Sequence, residues 1–375
     1  MEFRYSVEQE ALRELAGRLC GERFNDDFRK RFRGSRCAYD VTLWQSLAQA
    51  GVLGAAIAPA HGGSGLGLSE LGLVLEAQGR TLAAVPLLAT LVLGALPLQH
   101  FGTPAQRALL EQVGRGSLLL SGALEEEGGV PWAPQTRAVA SREGWEITGR
   151  KSCVPYGAEA AYLLVSAHTG DAETGLFLLP AGVAGLQLQA QHSTSAEPQV
   201  QLDLHGVRLG PEARLGATEA ARVLPWTLER AQVALAALQL GILGAALARA
   251  ASYVSERRQF GRPLGSFQAV QQRLADCFID LEALRSSYLR AVWALDAGVA
   301  CRAEVLAAKW WSAQAGHRVS HAVQHVHGGL GADLEYPVHA YFLAAKQVEL
   351  CLGGAAPTLA ALGAELALGQ VAPFT

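Results

Sequence analysis

The spacing of apolar residues divides the chain into three stretches of different texture. From Ser6 to about Val113 the period is helical, with Ala11, Leu12, Leu15 and Leu19 recurring at three and four residues. The run His61-Gly-Gly-Ser-Gly65-Leu-Gly67 interrupts it as a flexible loop, and Leu71, Leu75 and Gly79-Arg80 resume the helical period. Pro86 opens a further helix. From Ser117 to about Ala221 the texture changes to short alternating runs: Leu118–Ser121, Trp145–Thr148, Tyr162–Val165, Gly175–Leu179 and Gln199–Leu202. Gly, Pro or Asp punctuates most of them, which predicts an antiparallel sheet. From Leu224 to about Leu368 long Ala/Leu stripes with Gly breaks predict helices again. The pattern gives an α+β chain with a helical domain over 1–115, a β domain over 116–222 and a helical bundle over 223–375.

The chain has 375 residues, half of them hydrophobic and only 17% charged, with a mean hydropathy of +0.17. That is enough for more than one core, and apolar enough to require burial at subunit interfaces. The apolar stretches are cut by Arg, Glu and Gln before about 18 residues accumulate, which speaks against a membrane span. A net charge of −3 gives no reason to expect nucleic acid or a membrane surface as partner. The first residues show no charged-then-apolar leader, so a cytoplasmic protein is expected. Cys20, Cys37, Cys153, Cys277, Cys301 and Cys351 are scattered without C-x-x-C spacing and read as reduced thiols, mostly in the core.

The densest motif is Tyr253-Val-Ser-Glu-Arg257-Arg-Gln259-Phe260-Gly261-Arg-Pro263-Leu-Gly-Ser-Phe267-Gln268, closed by Leu274-Ala275-Asp276. A helix carries Arg257 into a tight turn and a second helix restarts at Ser266. The planar fork of an Arg on such a support pairs bidentately with phosphate oxygens. The second motif is Gln324-His325-Val-His327-Gly328-Gly329-Leu-Gly331, followed by Glu335-Tyr336-Pro337. Consecutive glycines let backbone N–H groups approach an anion or a ring. Both segments closely resemble the flavin-binding segments of the acyl-CoA dehydrogenase superfamily. The helical–β–helical order matches that family's architecture too: an α domain, a central β-barrel domain and a C-terminal four-helix bundle.

The resemblance implies FAD, held at its diphosphate and adenine end across a subunit interface, in the neighbour's site. The residues carried over are Arg257, Gln259, Phe260, Gln268, His325, Gly328 and Gly329. A Gln usually stands where His325 is, with Gln324 one position earlier. The family removes an α-proton with a glutamate while the β-hydride passes to the flavin, so a carboxylate in a desolvated pocket is required. At the first family position for this base the chain has Leu352, and at the second it has Ala231. Neither accepts a proton. Glu229 has the right neighbours in Leu228-Glu229-Arg230 but lies two residues out of register, about 200° of helical rotation, unless a bulge restores it. The alternative for Glu229 is a surface or capping role in a first helical turn.

The segments that would serve the chain's own flavin depart from the family. A Thr-Glu-Pro loop corresponds here to Glu125-Glu126-Glu127, three carboxylates that would face a ring system and a CoA tail. The Trp-Ile-Thr element corresponds to Cys153-Val154-Pro155, and proline offers no N–H. A chain that keeps the residues reaching across an interface and loses those of its own pocket is expected to complete a partner's site. The resemblance is to α2β2 acyl-CoA dehydrogenases of steroid side-chain breakdown. Lys346-x-x-Glu349-Leu-x-Leu-Gly353-Gly-Ala looks like their non-catalytic subunit.

The implied partners are a homologous catalytic subunit, an acyl-CoA substrate and electron-transferring flavoprotein. Two other readings stand beside this one: a self-sufficient homotetrameric enzyme using Glu229, and a non-enzymatic acyl-CoA- or partner-binding relic. The His317, His321, His325, His327 series has i, i+4 spacing but no matching carboxylate or Cys, so no metal is expected. Trp310 and Trp311 read as bundle core, His61 as a structural loop residue, and Lys309 as either a phosphate contact or a solvated helix position.

Overall fold

The computed structural model describes residues 4–35, 37–170, 173–195, 197–216 and 218–369. The N-terminal domain begins with α1 (Val7–Arg23), opened by a reciprocal capping box between Ser6 and Gln9. Helices α2 (Asp26–Arg33) and α3 (Val41–Gln49) follow, then the loop containing His61, which closes a 3₁₀ turn. A Cβ on Gly63 would lie 2.0 Å from Ile57 O, so this loop is packed rather than flexible. Helix α4 (Leu68–Thr81) is buried on almost every side. The Pro86 start is a π-helical run, Leu88–Ala95, that continues into α5 (Leu96–Phe101). Two short helices, α6 (Pro104–Arg107) and α7 (Leu109–Gly114), complete the domain.

The central sheet contains β1 (Leu120–Ala123), β2 (Arg137–Ser141), β3 (Gly144–Pro155), β4 (Tyr162–Gly170), β5 (Glu173–Pro180), β6 (Leu186–Gln191) and β7 (Gln199–Leu209). Its order is β1-β4-β2-β3-β7-β6, with β5 on the far edge of β4, giving a curled sheet. The expected antiparallel pairing holds for β2–β3, β3–β7, β6–β7 and β4–β5, but β1–β4 and β2–β4 are parallel. Alternation along one strand cannot specify its neighbour's direction, which is why the sequence did not show this. Strands β2 and β6 lie outside the runs named from the sequence; Leu186–Gln191 alternates apolar and polar residues but is mostly exposed.

The C-terminal domain is built on α8 (Ala220–Glu256), 37 residues long. The two-stranded hairpin β8 (Arg258–Gln259) and β9 (Arg262–Pro263) leads into α9 (Gln268–Asp296), α10 (Arg302–His327), α11 (Val338–Leu350) and α12 (Ala355–Ala367). The second helix of the Arg257 motif thus begins at Gln268, because Leu264–Ser266 forms a 3₁₀ turn first. Helices α8 to α11 form the bundle and α12 lies against α10.

The N-terminal domain and the bundle share one core. Gly79 on α4 and Gly241 on α8 let the two backbones nearly touch: a Cβ on Gly79 would sit 2.2 Å from Leu238 O, and one on Gly241 2.0 Å from Glu76 O. Two helical stretches, Ala220–Glu256 and Val338–Ala367, are long and apolar enough by length and composition to cross a membrane, contrary to the reading from the sequence. Most of the first is buried against the rest of the protein, as a core helix is; the second is largely exposed and is broken between α11 and α12.

Candidate functional site

The Arg257 motif folds as a hairpin with a two-residue turn. Phe260 and Gly261, at φ 52° and 79°, form its tip, as a type I′ turn requires. Arg257 ends α8: its N–H donates to Tyr253 O at 2.8 Å and its carbonyl accepts from Leu264 N at 2.8 Å. Its side chain, with those of Gln259 and Gln268, is exposed, and Phe260 is 91% exposed. His325, Gly328 and Gly329 at the end of α10 are exposed too, and a Cβ on either glycine would meet nothing within 4 Å. The two motifs are joined at their bases, where the rings of Tyr253 and His327 stack with centroids 4.4 Å apart. Every residue carried over for the diphosphate end of FAD therefore points out of the chain. The exposed donor set, one guanidinium and two carboxamides, fits an anionic diphosphate, while the Gly328 N–H is given to His325 O.

The position where the family places its base is closed. Leu352 follows α11 at φ 52° and is 2% exposed; its carbonyl accepts from Gln232 Nε2 at 3.2 Å. Its N–H donates to Glu125 Oε1 at 2.8 Å, and the Cys351 thiol donates to Glu125 Oε2 at 3.7 Å. Burial pushes the Glu125 carboxyl up, against the Leu352 N–H bond and the Lys309 charge, which pull it down. Lys309 is wholly buried and donates to Val348 O at 3.0 Å and Glu349 O at 3.1 Å, capping the end of α11. It is buried against these two carbonyls, which corrects the reading of it as a solvated helix position. Burial lowers its ammonium to about 8.

The three successive carboxylates do not share a face. Glu125 turns inward to Leu352. Glu126 accepts from Lys151 Nζ at 2.6 Å and from the N–H groups of Gln135 and Thr136, and the ammonium beside it holds its carboxyl below the usual range despite partial burial. Among the three, Glu127 is the exposed one. The Cys153 N–H is taken by Gln191 Oε1 at 2.7 Å. The loop that should offer hydroxyls to a flavin thus offers a carboxylate already bonded to the chain itself, which does not fit a flavin ring.

Ala231 is fully buried in the bundle core. Glu229 lies in the third turn of α8 rather than its first, and α8 runs unbroken from Ala220 to Glu256, so no bulge shifts its register. Its carboxylate sits 3.9 Å from Arg230 and 4.0 Å from Arg302, and Arg302 is in turn bonded to Glu365 on α12 at 2.7 Å. Burial raises the Glu229 carboxyl, with both arginines opposing. Among the described residues no cluster of His, Cys, Asp or Glu could hold a metal. Trp311 packs partly buried against the core and its ring meets that of Trp310 edge-on.

One feature the sequence did not reveal is a cavity of about 430 Å³ where the three domains meet. Leu82, Leu238, Ile242 and Leu343 give it apolar walls, Glu197 and His339 are among its polar groups, and Gln347 and Val348 bring it one helical turn from Leu352. Burial raises the Glu197 carboxyl to about 7.

Three domains in this order define an acyl-CoA dehydrogenase architecture. The chain belongs to the acyl-CoA dehydrogenase family: the N-terminal domain model matches residues 6–117 and the C-terminal domain model residues 221–365. It is 40% identical to acyl-CoA dehydrogenase FadE27 of Mycobacterium tuberculosis over 88% of this chain and 89% of that protein. Among solved structures it is similar to the Tcur3481-Tcur3483 steroid ACAD, with 44% identity, a TM-score of 0.92, and 97% and 99% of the two chains covered. It is also similar to the ChsE4-ChsE5 complex from Mycobacterium tuberculosis, with 36% identity, a TM-score of 0.92 and full coverage of both chains.

Proposed function

We propose that this chain is the non-catalytic subunit of a heteromeric acyl-CoA dehydrogenase and completes the FAD site of a homologous catalytic partner. The observation that carries the reading is the Glu125–Leu352 bond. The place where the family keeps its base holds a leucine, and the carboxylate nearest to it is bonded to that leucine's own N–H. A base must reach a substrate proton through a free carboxylate oxygen. Arg257, Gln259, Phe260, Gln268, His325, Gly328 and Gly329 meanwhile remain exposed for a ligand held by another chain.

In this reading FAD, bound in the partner's site, supplies the hydride acceptor. The residues of this chain contribute binding alone: Arg257 pairs with diphosphate oxygens, and the Gly328–Gly329 backbone receives the adenine end. The partner's base would take the proton, and electron-transferring flavoprotein would serve the complex as electron acceptor. The likeness to two heteromeric assemblies, one described as a steroid ACAD, supports a steroid side-chain CoA thioester as the substrate.

The test is the visible absorption spectrum of the chain purified alone and then with its partner. The chain alone is expected to be colourless, and the α2β2 complex to hold two FAD. Four FAD per tetramer, or a yellow chain that acyl-CoA reduces unaided, refutes the proposal.

A further inference from the structure

Two segments far apart in sequence, the Arg257 turn and the Gly328–Gly329 loop, must hold one fixed spacing if they are to grip the diphosphate and the adenine end of the same dinucleotide. Neither is buried, so packing around the ligand-facing atoms does not fix them. Their bases meet at a stack of Tyr253 on α8 and His327 on α10, with centroids 4.4 Å apart and planes 23° from parallel. Tyr336, from the segment after the glycines, flanks the imidazole at 5.5 Å.

Each ring sits directly behind the segment it would position. Tyr253 O accepts the Arg257 N–H, the bond that ends α8, so the tyrosine belongs to the turn from which the guanidinium leaves. His327 is the last residue before Gly328, whose φ of 60° bends the chain away from α10. Moving His327 therefore moves the glycines.

The buried imidazole is held by the stack and by one hydrogen bond. Its Nδ1–H donates to Val323 O at 2.7 Å, which leaves Nε2 as an acceptor. That nitrogen is buried and has no hydrogen-bond partner, and neither has Gln324 Oε1, three residues earlier on the same helix. The hydrogen bond that is made fixes the ring's rotation and so keeps it parallel to Tyr253. Burial also lowers its pKa, which keeps the ring neutral and able to stack.

We propose that the Tyr253–His327 stack sets the spacing between the Arg257 turn and the Gly328–Gly329 loop, and that Tyr253 and His327 are positioning residues for the dinucleotide bound by this chain. This rests on the proposed trans-completing role and names the device by which it is achieved.

The experiment uses the complex with the catalytic partner, stripped of flavin and titrated with FAD by fluorescence, with assembly followed by light scattering. His327→Ala and Tyr253→Ala are expected to raise the FAD dissociation constant about tenfold or more at unchanged tetramer mass. His327→Phe and Tyr253→Phe, which keep a ring, are expected to stay within about threefold of wild type. That rescue separates positioning from general structural support. An alanine variant that binds FAD as tightly as wild type overturns the inference, as does a phenylalanine variant as weak as the alanine one. Should the alanine variants not assemble, His327→Leu fills the volume without a ring, and wild-type affinity in that variant overturns the inference equally. A wild-type complex that binds no FAD refutes the trans-completing role itself, an outcome read before any variant is made.

Discussion

Removing the Glu125 side chain should loosen the Leu352 turn. The carboxylate accepts from Leu352 N at 2.8 Å in a partly buried position, and Leu352 itself is 2% exposed. Glu125→Ala leaves that N–H buried without an acceptor, which costs about 1–3 kcal/mol. At about 1.4 kcal/mol per tenfold in an equilibrium constant, this predicts roughly 5- to 150-fold faster hydrogen exchange at the Leu352 amide. Glu125→Gln keeps an acceptor of the same length and should raise the exchange less than about fivefold.

The pH dependence has a definite sign. Burial raises the Glu125 carboxyl in the folded state, so the folded protein binds this proton more tightly than the unfolded chain does. Its stabilising contribution is complete below the unfolded carboxylate value, and it is lost as pH rises from there through the folded value. The wild type should therefore lose stability relative to Glu125→Gln over that rise, by about 1.4 kcal/mol for each tenfold difference in proton affinity between the folded and unfolded chains. Hydrogen exchange by mass spectrometry reads the first effect, and unfolding midpoints across pH read the second. Wild-type exchange at Leu352 in Glu125→Ala would refute the closed-site geometry from which the function is proposed.

Further outcomes follow from the same contacts. Glu229→Gln should change the turnover of the complex less than about twofold, whereas loss of a working base costs at least about 100-fold; steady-state kinetics decides between them. Lys309→Met leaves Val348 O and Glu349 O without their charged donor, so a loss of about 1.5–3 kcal/mol is expected in denaturant unfolding. Arg257→Ala should weaken FAD binding to the complex by about 1.5–3 kcal/mol, the range for a hydrogen bond to a charged group, with assembly intact by light scattering.

The sequence by itself determined the three-domain order, the family and the segments that face outward. Helical and alternating periods are local properties, and the Tyr253–Gln268 and Gln324–Pro337 strings keep their spacing whatever surrounds them. It also showed that Leu352 and Ala231 cannot act as bases, because that depends on side-chain chemistry alone. Only the tertiary structure decided what the remaining polar residues do. Glu125 and Glu126 are neighbours in sequence, yet one turns to Leu352 and the other to Lys151, because each finds its partner on a different distant element.

Lys309 could not be placed for the same reason. Nothing in a helical Ala-Ala-Lys distinguishes a solvated ammonium from one buried beneath the end of α11, where two carbonyls await a donor. The parallel pairing of β1 and β2 with β4 and the meeting of Tyr253 with His327 are likewise matters of approach between distant segments. A linear pattern records which face of an element is apolar. What that face meets is fixed only when the core closes and each buried polar group must find a partner.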